Sequence, residues 1–170
     1  MRPPIVIILL TALALPSGHA SASPPIAISA EELQTLHTQA AQGDPGAQTS
    51  LGFLYAKGLG LPQDYAKARG WFEKAAAQGE PEAQYNLGFL YHKGQGVPRD
   101  DVKARQWWEK AAAQGYAWAQ NTLGVLYRDG FGVPRDYATA RQWFEKSAVQ
   151  GVNDHLKFPL VRSSEIPPSR

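Results

Sequence analysis

Three stretches of this chain align on one another without a gap at a spacing of 36 residues. The first, AAQGDPGAQTSLGFLYAKGLGLPQDYAKARGWFEK, ends at Lys74. The second, AAAQGEPEAQYNLGFLYHKGQGVPRDDVKARQWWEK, ends at Lys110, and the third, AAAQGYAWAQNTLGVLYRDGFGVPRDYATARQWFEK, ends at Lys146. A unit this short cannot bury its own apolar face and does so only against its neighbours, so the period predicts a stacked array.

Each unit reads as two helices. Ala47, Leu51, Leu54 and Tyr55 recur as Ala83, Leu87, Leu90 and Tyr91, then as Ala119, Leu123, Leu126 and Tyr127, at the i, i+4, i+7, i+8 spacing of one helix face. Pro45 and Pro81 stand at the first turn, where a missing N–H costs nothing. Ala68, Trp71, Phe72 and Ala75 recur in the second helix as Ala104, Trp107, Trp108 and Ala111 and as Ala140, Trp143, Phe144 and Ser147. Gly70, where the later units carry Gln106 and Gln142, weakens the first unit by about 1 kcal/mol relative to alanine.

The segment between paired helices, GLPQD at Gly60 to Asp64 and GVPRD at Gly96 to Asp100 and Gly132 to Asp136, has the composition of a ligand loop. Phosphate loops place glycines after a strand with Lys-Ser/Thr behind them. Here the glycines follow a helix and no Lys-Ser/Thr appears. Gly58, Gly94 and Gly130 suit a left-handed helix end, the prolines stop continuation, and Asp64, Asp100 and Asp136 suit N-caps, so the loop reads as a turn.

The ends differ from the middle. Ser29 to Glu32 has the form of a capping box opening an N-terminal capping helix within residues 23–43. Three repeats follow over 44–150, and 151–170 reads as a truncated repeat and tail that Pro159 interrupts. Residues 1–22 have the layout of a signal peptide: Arg2, an apolar run from Ile5 to Leu15, and a small-residue stretch with cleavage expected after Ala22 or Ala20. The expectation is a periplasmic or secreted protein with no stable membrane insertion after cleavage. Arg2 is the only charged residue of that segment, so the 17 basic residues fall to 16 against 15 acidic ones. The two signs are interleaved, which argues against a nucleic-acid partner. With no cysteine in the chain, the fold rests on packing alone.

The pattern A-x-x-x-L-G-x-L-Y-x-x-G-x-G-V-P-x-D-x-x-x-A-x-x-W-x-x-K-A-A-x-Q-G, complete at Ala83 to Gly115, resembles the Sel-one-like repeat family, a branch of the tetratricopeptide-type helical repeats. The resemblance covers residues 40 to 151 and implies an all-α, right-handed solenoid of helix-turn-helix repeats whose first helices line the concave surface. It also implies an adaptor role in assemblies or signalling. Some exported, cysteine-rich relatives have been described as penicillin-binding or β-lactamase-like, which keeps a cell-wall-directed enzyme, and beside it a peptidoglycan-binding module, as alternatives.

Catalytic groups are not evident. His37, His92 and His155 fall in different units with no pair at i, i+4, and there is no G-x-S-x-G, S-x-x-K or H-E-x-x-H. No catalytic residue, metal ligand or cofactor is therefore assigned, and the expectation is a non-enzymatic scaffold. Trp71, Trp107 and Trp143 share one repeat position and are expected in the core, as is Trp108, whereas Trp118 aligns with Gly46 and Glu82 and no packing rule asks for it. Opposite the recurring apolar positions of the first helices lie positions that vary: Gly46, Thr49, Phe53 and Ala56; Glu82, Tyr85, Phe89 and His92; Trp118, Asn121, Val125 and Arg128. Aromatic residues on a face the repeat does not need suggest a contact surface. The expected site is Tyr85, Phe89, His92, Trp118, Asn121 and Arg128, binding a protein or peptide segment.

Overall fold

The computed structural model describes residues 28–149, which form seven α-helices and no strand. They are α1 (Ala30–Ala41), α2 (Pro45–Lys57), α3 (Tyr65–Ala77), α4 (Pro81–Lys93), α5 (Asp101–Ala113), α6 (Ala117–Asp129) and α7 (Tyr137–Ala148). The signal segment expected at 1–22 and the truncated unit expected at 151–170 lie outside the described residues. Each helix packs on its neighbours in chain order, with α2 on α3, α4 on α5 and α6 on α7, and α3 and α5 joining one pair to the next. This is an α-solenoid.

The turn between paired helices is built as its residues require. Gly58, Gly94 and Gly130 end α2, α4 and α6 at φ of 68°, 67° and 76°, a region glycine enters without a Cβ penalty. The following N–H groups of Leu59, Gln95 and Phe131 donate back to Leu54, Leu90 and Leu126. The Asp64, Asp100 and Asp136 N–H groups donate to the Tyr55, Tyr91 and Tyr127 carbonyls at 2.8 to 2.9 Å, and each Asp side chain caps the next helix. At α1, Ser29 Oγ accepts from the Glu32 N–H while Glu32 accepts from the Ser29 N–H.

The core is filled by one aromatic per pair, and it is the second residue of each WF or WW dipeptide. Phe72 and Trp108 are 1 % and 2 % exposed. They lie against Gly52 and Gly88, as the half-buried Phe144 lies against Gly124: a Cβ on any of these glycines would come within 2.6 Å of a ring atom. Leu51, Leu87 and Leu123 complete the layer with no exposed surface, and each such side chain contributes about 2 kcal/mol on burial. Trp71, Trp107 and Trp143, expected in the core, sit at its edge. Each packs one part of its ring on the preceding helix pair and stays half-buried, with the ammonium of Lys74, Lys110 or Lys146 at 4.2, 4.1 and 4.4 Å from its centroid.

A buried glutamine at one position of every first helix ties the pairs together. Gln48, Gln84 and Gln120 donate from Nε2 to the carbonyls of Ala40, Ala76 and Ala112. Gln48 and Gln84 accept in turn from Gln78 and Gln114 at 2.9 and 2.8 Å. The same repeat position after Gln78 and Gln114 is Gln150, beyond the described residues. The helix-forming spacing alone does not announce this polar ladder, although all its members repeat.

Two helical glycines should respond oppositely to alanine. Gly70 has no atom within 4 Å of a built Cβ, so Gly70→Ala should gain about 1 kcal/mol from helix propensity. Gly88→Ala gains the same propensity but drives a methyl into the Trp108 indole, which costs about 1–3 kcal/mol and leaves a net loss. Thermal unfolding of the two variants beside the parent checks the sign of each.

Candidate functional site

Along the first helices the packing leaves two adjoining recesses, of about 300 and about 340 Å3. They are built from the same repeat positions. Phe53, Ala56 and Lys57 of α2 with Asn86, Phe89 and Leu90 of α4 form the first; 36 residues on, Phe89, His92 and Lys93 of α4 with Thr122, Val125 and Leu126 of α6 form the second. The turns and second helices close them in register, where Gln63, Phe72 and Gln95 of the first recess give way to Arg99, Trp108 and Phe131 of the second. Phe89 stands in both and is the wall between them. Together the recesses form a furrow that crosses the first helices along the array.

The ring edges that face this furrow are left open by the fold itself. Phe53 and Phe89 are each 41 % exposed although they sit mid-helix. Phe89 leans on Tyr85 and on Trp108, with centroids 6.0 and 6.4 Å apart, so its position is held from below while its outer face is free. In the first recess the Tyr65 hydroxyl accepts from Gln63 and Gln95 at 3.0 and 2.9 Å, which gives that floor a polar edge. The second is more apolar, walled by Trp108, Val125, Leu126 and Phe131.

The six residues expected from sequence divide in this geometry. Phe89 and His92 line the furrow. His92 Nδ1 lies 2.8 Å from Asp101 Oδ1, and Arg99 holds the other oxygen of that carboxylate at 2.7 Å. Hydrogen bonding from Arg99, supported by His92, keeps Asp101 below the usual carboxylate range. Tyr85 is half-buried, its ring packed on Tyr116 and on the core around Trp108 and Leu123, so it supports the wall rather than presenting a face. Trp118 is 41 % exposed but lies outside both recesses. Asn121 is only 8 % exposed: its repeat position, shared with the buried Thr49 and half-buried Tyr85, faces into the array, and it is not presented to a partner. Arg128 is half-buried and bidentate on Asp129, at 2.7 and 2.8 Å. That pairing lowers the Asp129 carboxyl and makes the end of α6 locally neutral.

Lys57, Lys93, Arg99 and Phe131 line the furrow without having been anticipated. Lys57 and Lys93 repeat at the last residue of their helices, and that repetition was the available signal. Among the described residues no group of His, Cys, Asp or Glu is arranged to hold a metal ion, and no helix is long and apolar enough to cross a membrane.

Seven helices in register, joined by glycine-capped turns and bearing a furrow that repeats with the units, define a helical-repeat protein. The chain belongs to the Sel1 repeat family, whose model matches residues 45–80, 81–116 and 119–152. Sel1 repeat proteins generally serve as protein-interaction scaffolds and are typically non-enzymatic. Among solved structures the chain is similar to a protective antigen of uropathogenic Escherichia coli with an SLR fold, at 44 % identity and a TM-score of 0.68 over 71 % of this chain and 26 % of that one. It is similar to a Sel1 repeat protein of Oxalobacter formigenes at 41 % identity and a TM-score of 0.67, over 72 % of this chain and 51 % of that one. The chain thus spans about a quarter and about half the length of these two. Helicobacter pylori cysteine rich protein B shares the fold at 22 % identity and a TM-score of 0.59, over 74 % of this chain and 94 % of that one. No curated protein sequence matches the chain.

Proposed function

We propose that this chain is an exported scaffold that holds a segment of a partner protein in the furrow formed by α2, α4 and α6. The observation that carries the reading is the pair of exposed, pre-positioned phenylalanines. Phe53 and Phe89 leave 41 % of their surface open in a furrow whose other walls are packed, and the repeat's own core has no use for that surface. Large apolar anchors in a concave site are what binding energy concentrates on. The test is affinity capture from the cell envelope of the producing organism with the parent chain and with Phe53→Ala/Phe89→Ala. Loss of a discrete partner in the folded double variant supports the reading, and unchanged capture rejects it.

Export rests on residues 1–22, where Arg2, the run from Ile5 to Leu15 and the sequence Ala20-Ser21-Ala22 follow the layout of a secretory signal. Mass analysis of the protein recovered from its own cells should give a chain beginning at Ser23 or Ser21. A chain still beginning at Met1 contradicts export by this signal.

A further inference from the structure

The furrow has a charge as well as a shape. Neither recess has an acidic residue on its walls, whereas Lys57, Lys93 and Arg99 stand along one side. Arg99 is neutralised by Asp101. Lys57 and Lys93 form no ion pair among the described residues. Both lysines sit at helix C-termini, where each helix contributes about half a negative charge. Two whole positive charges exceed two halves, so the rim remains cationic.

The recesses also have a spacing. They are one repeat apart, with the touching α2 and α4 stepping to α6. Packed helices lie roughly 10 Å from axis to axis. An extended segment in the polyproline II conformation advances about 3.1 Å per residue with three residues to a turn, so side chains three residues apart project to the same side and bridge one recess to the next. A bound helix, rising about 1.5 Å per residue, would need about seven.

Resting on the furrow reading above, we infer that the occupant is an extended, acidic peptide segment. It places bulky apolar side chains three residues apart on either side of Phe89 and sets a carboxylate against Lys57 and Lys93. The apolar pair supplies burial, and the carboxylate fixes which flank of the segment faces the turns.

The test is a phage-displayed library of random peptides panned on the full chain, followed by fluorescence anisotropy with the enriched peptides made synthetically. The expected result is enrichment of two large apolar residues at i and i+3 with an Asp or Glu beside them. Binding of such a peptide should weaken about tenfold or more in Lys57→Glu/Lys93→Glu, fall as salt is raised, and be lost in Phe89→Ala. Anchors spaced seven apart, sequences without an acid, affinity indifferent to the lysine reversal, or no enrichment would each overturn the inference. Peptides that lose binding in Phe89→Ala but ignore the lysines leave the furrow standing and remove only its acidic specificity. Peptides indifferent to Phe89→Ala as well reject the furrow reading itself.

Discussion

Trp108→Ala is expected to remove about 3–5 kcal/mol of stability, the cost of emptying a large aromatic site in a core that cannot collapse around it. Trp108 is 2 % exposed, its Nε1 donates to the Tyr85 carbonyl at 3.1 Å, and its ring lies against the Gly88 backbone. The residue also sits in the middle unit. In an array each repeat is stabilised by its neighbours, and three repeats are about the minimum for a stable stack, so damage at the centre uncouples both ends. Against a typical total of about 5–15 kcal/mol, the variant should melt far below the parent or in two steps, read by far-ultraviolet circular dichroism. Trp108→Phe should keep the single transition, because phenylalanine fills this slot at Phe72 and Phe144. Its cost is about 1 kcal/mol for the indole hydrogen bond, plus a little lost packing. A Trp108→Ala protein melting within a few degrees of the parent would contradict the placement of the core.

Phe53→Ala/Phe89→Ala should show the opposite balance, with a small loss of stability and a large loss of binding. Both rings are held in part by neighbours: Lys57 lies 5.8 Å over Phe53, and Phe89 contacts Tyr85 and Trp108. Aromatic contacts of this kind are worth about 0.5–1.5 kcal/mol each, so the fold survives with a melting point a few degrees lower. In a complex the same rings would be covered on their outer faces as well. Central anchors cost about 2 kcal/mol or more when truncated, and two together correspond to a loss of roughly a thousandfold in affinity. Tyr85→Ala is the instructive contrast. Its ring supports Phe89 and packs on Tyr116, so it should lower stability and binding together.

The architecture was legible because each device in it is local and repeated. The αL glycines, the capping aspartates and the i, i+4, i+7 apolar face all act within a few residues of themselves, and three aligned copies show which positions the unit requires. The furrow was only partly legible, for a physical reason. Seeking a site among positions that vary treats every recurring residue as structural, yet an array of identical units builds a periodic groove from recurring residues. Lys57 and Lys93 occupy such positions. A helical wheel also gives direction without neighbours. Asn121 and Tyr85 lie on the face opposite Leu123 and Leu87, but the adjoining helices cover that part of the wheel, and only the assembled stack shows it.

The central claim is that a partner is held on the first-helix side of this solenoid. It is tested most directly by photocrosslinking from two positions, with p-benzoylphenylalanine placed at Phe89 in the furrow or at the exposed Gln106 of α5. Irradiation in the native envelope should yield one discrete adduct from position 89, with none from position 106. An adduct from position 106, with position 89 silent, would put the interaction surface on the second helices and contradict the account.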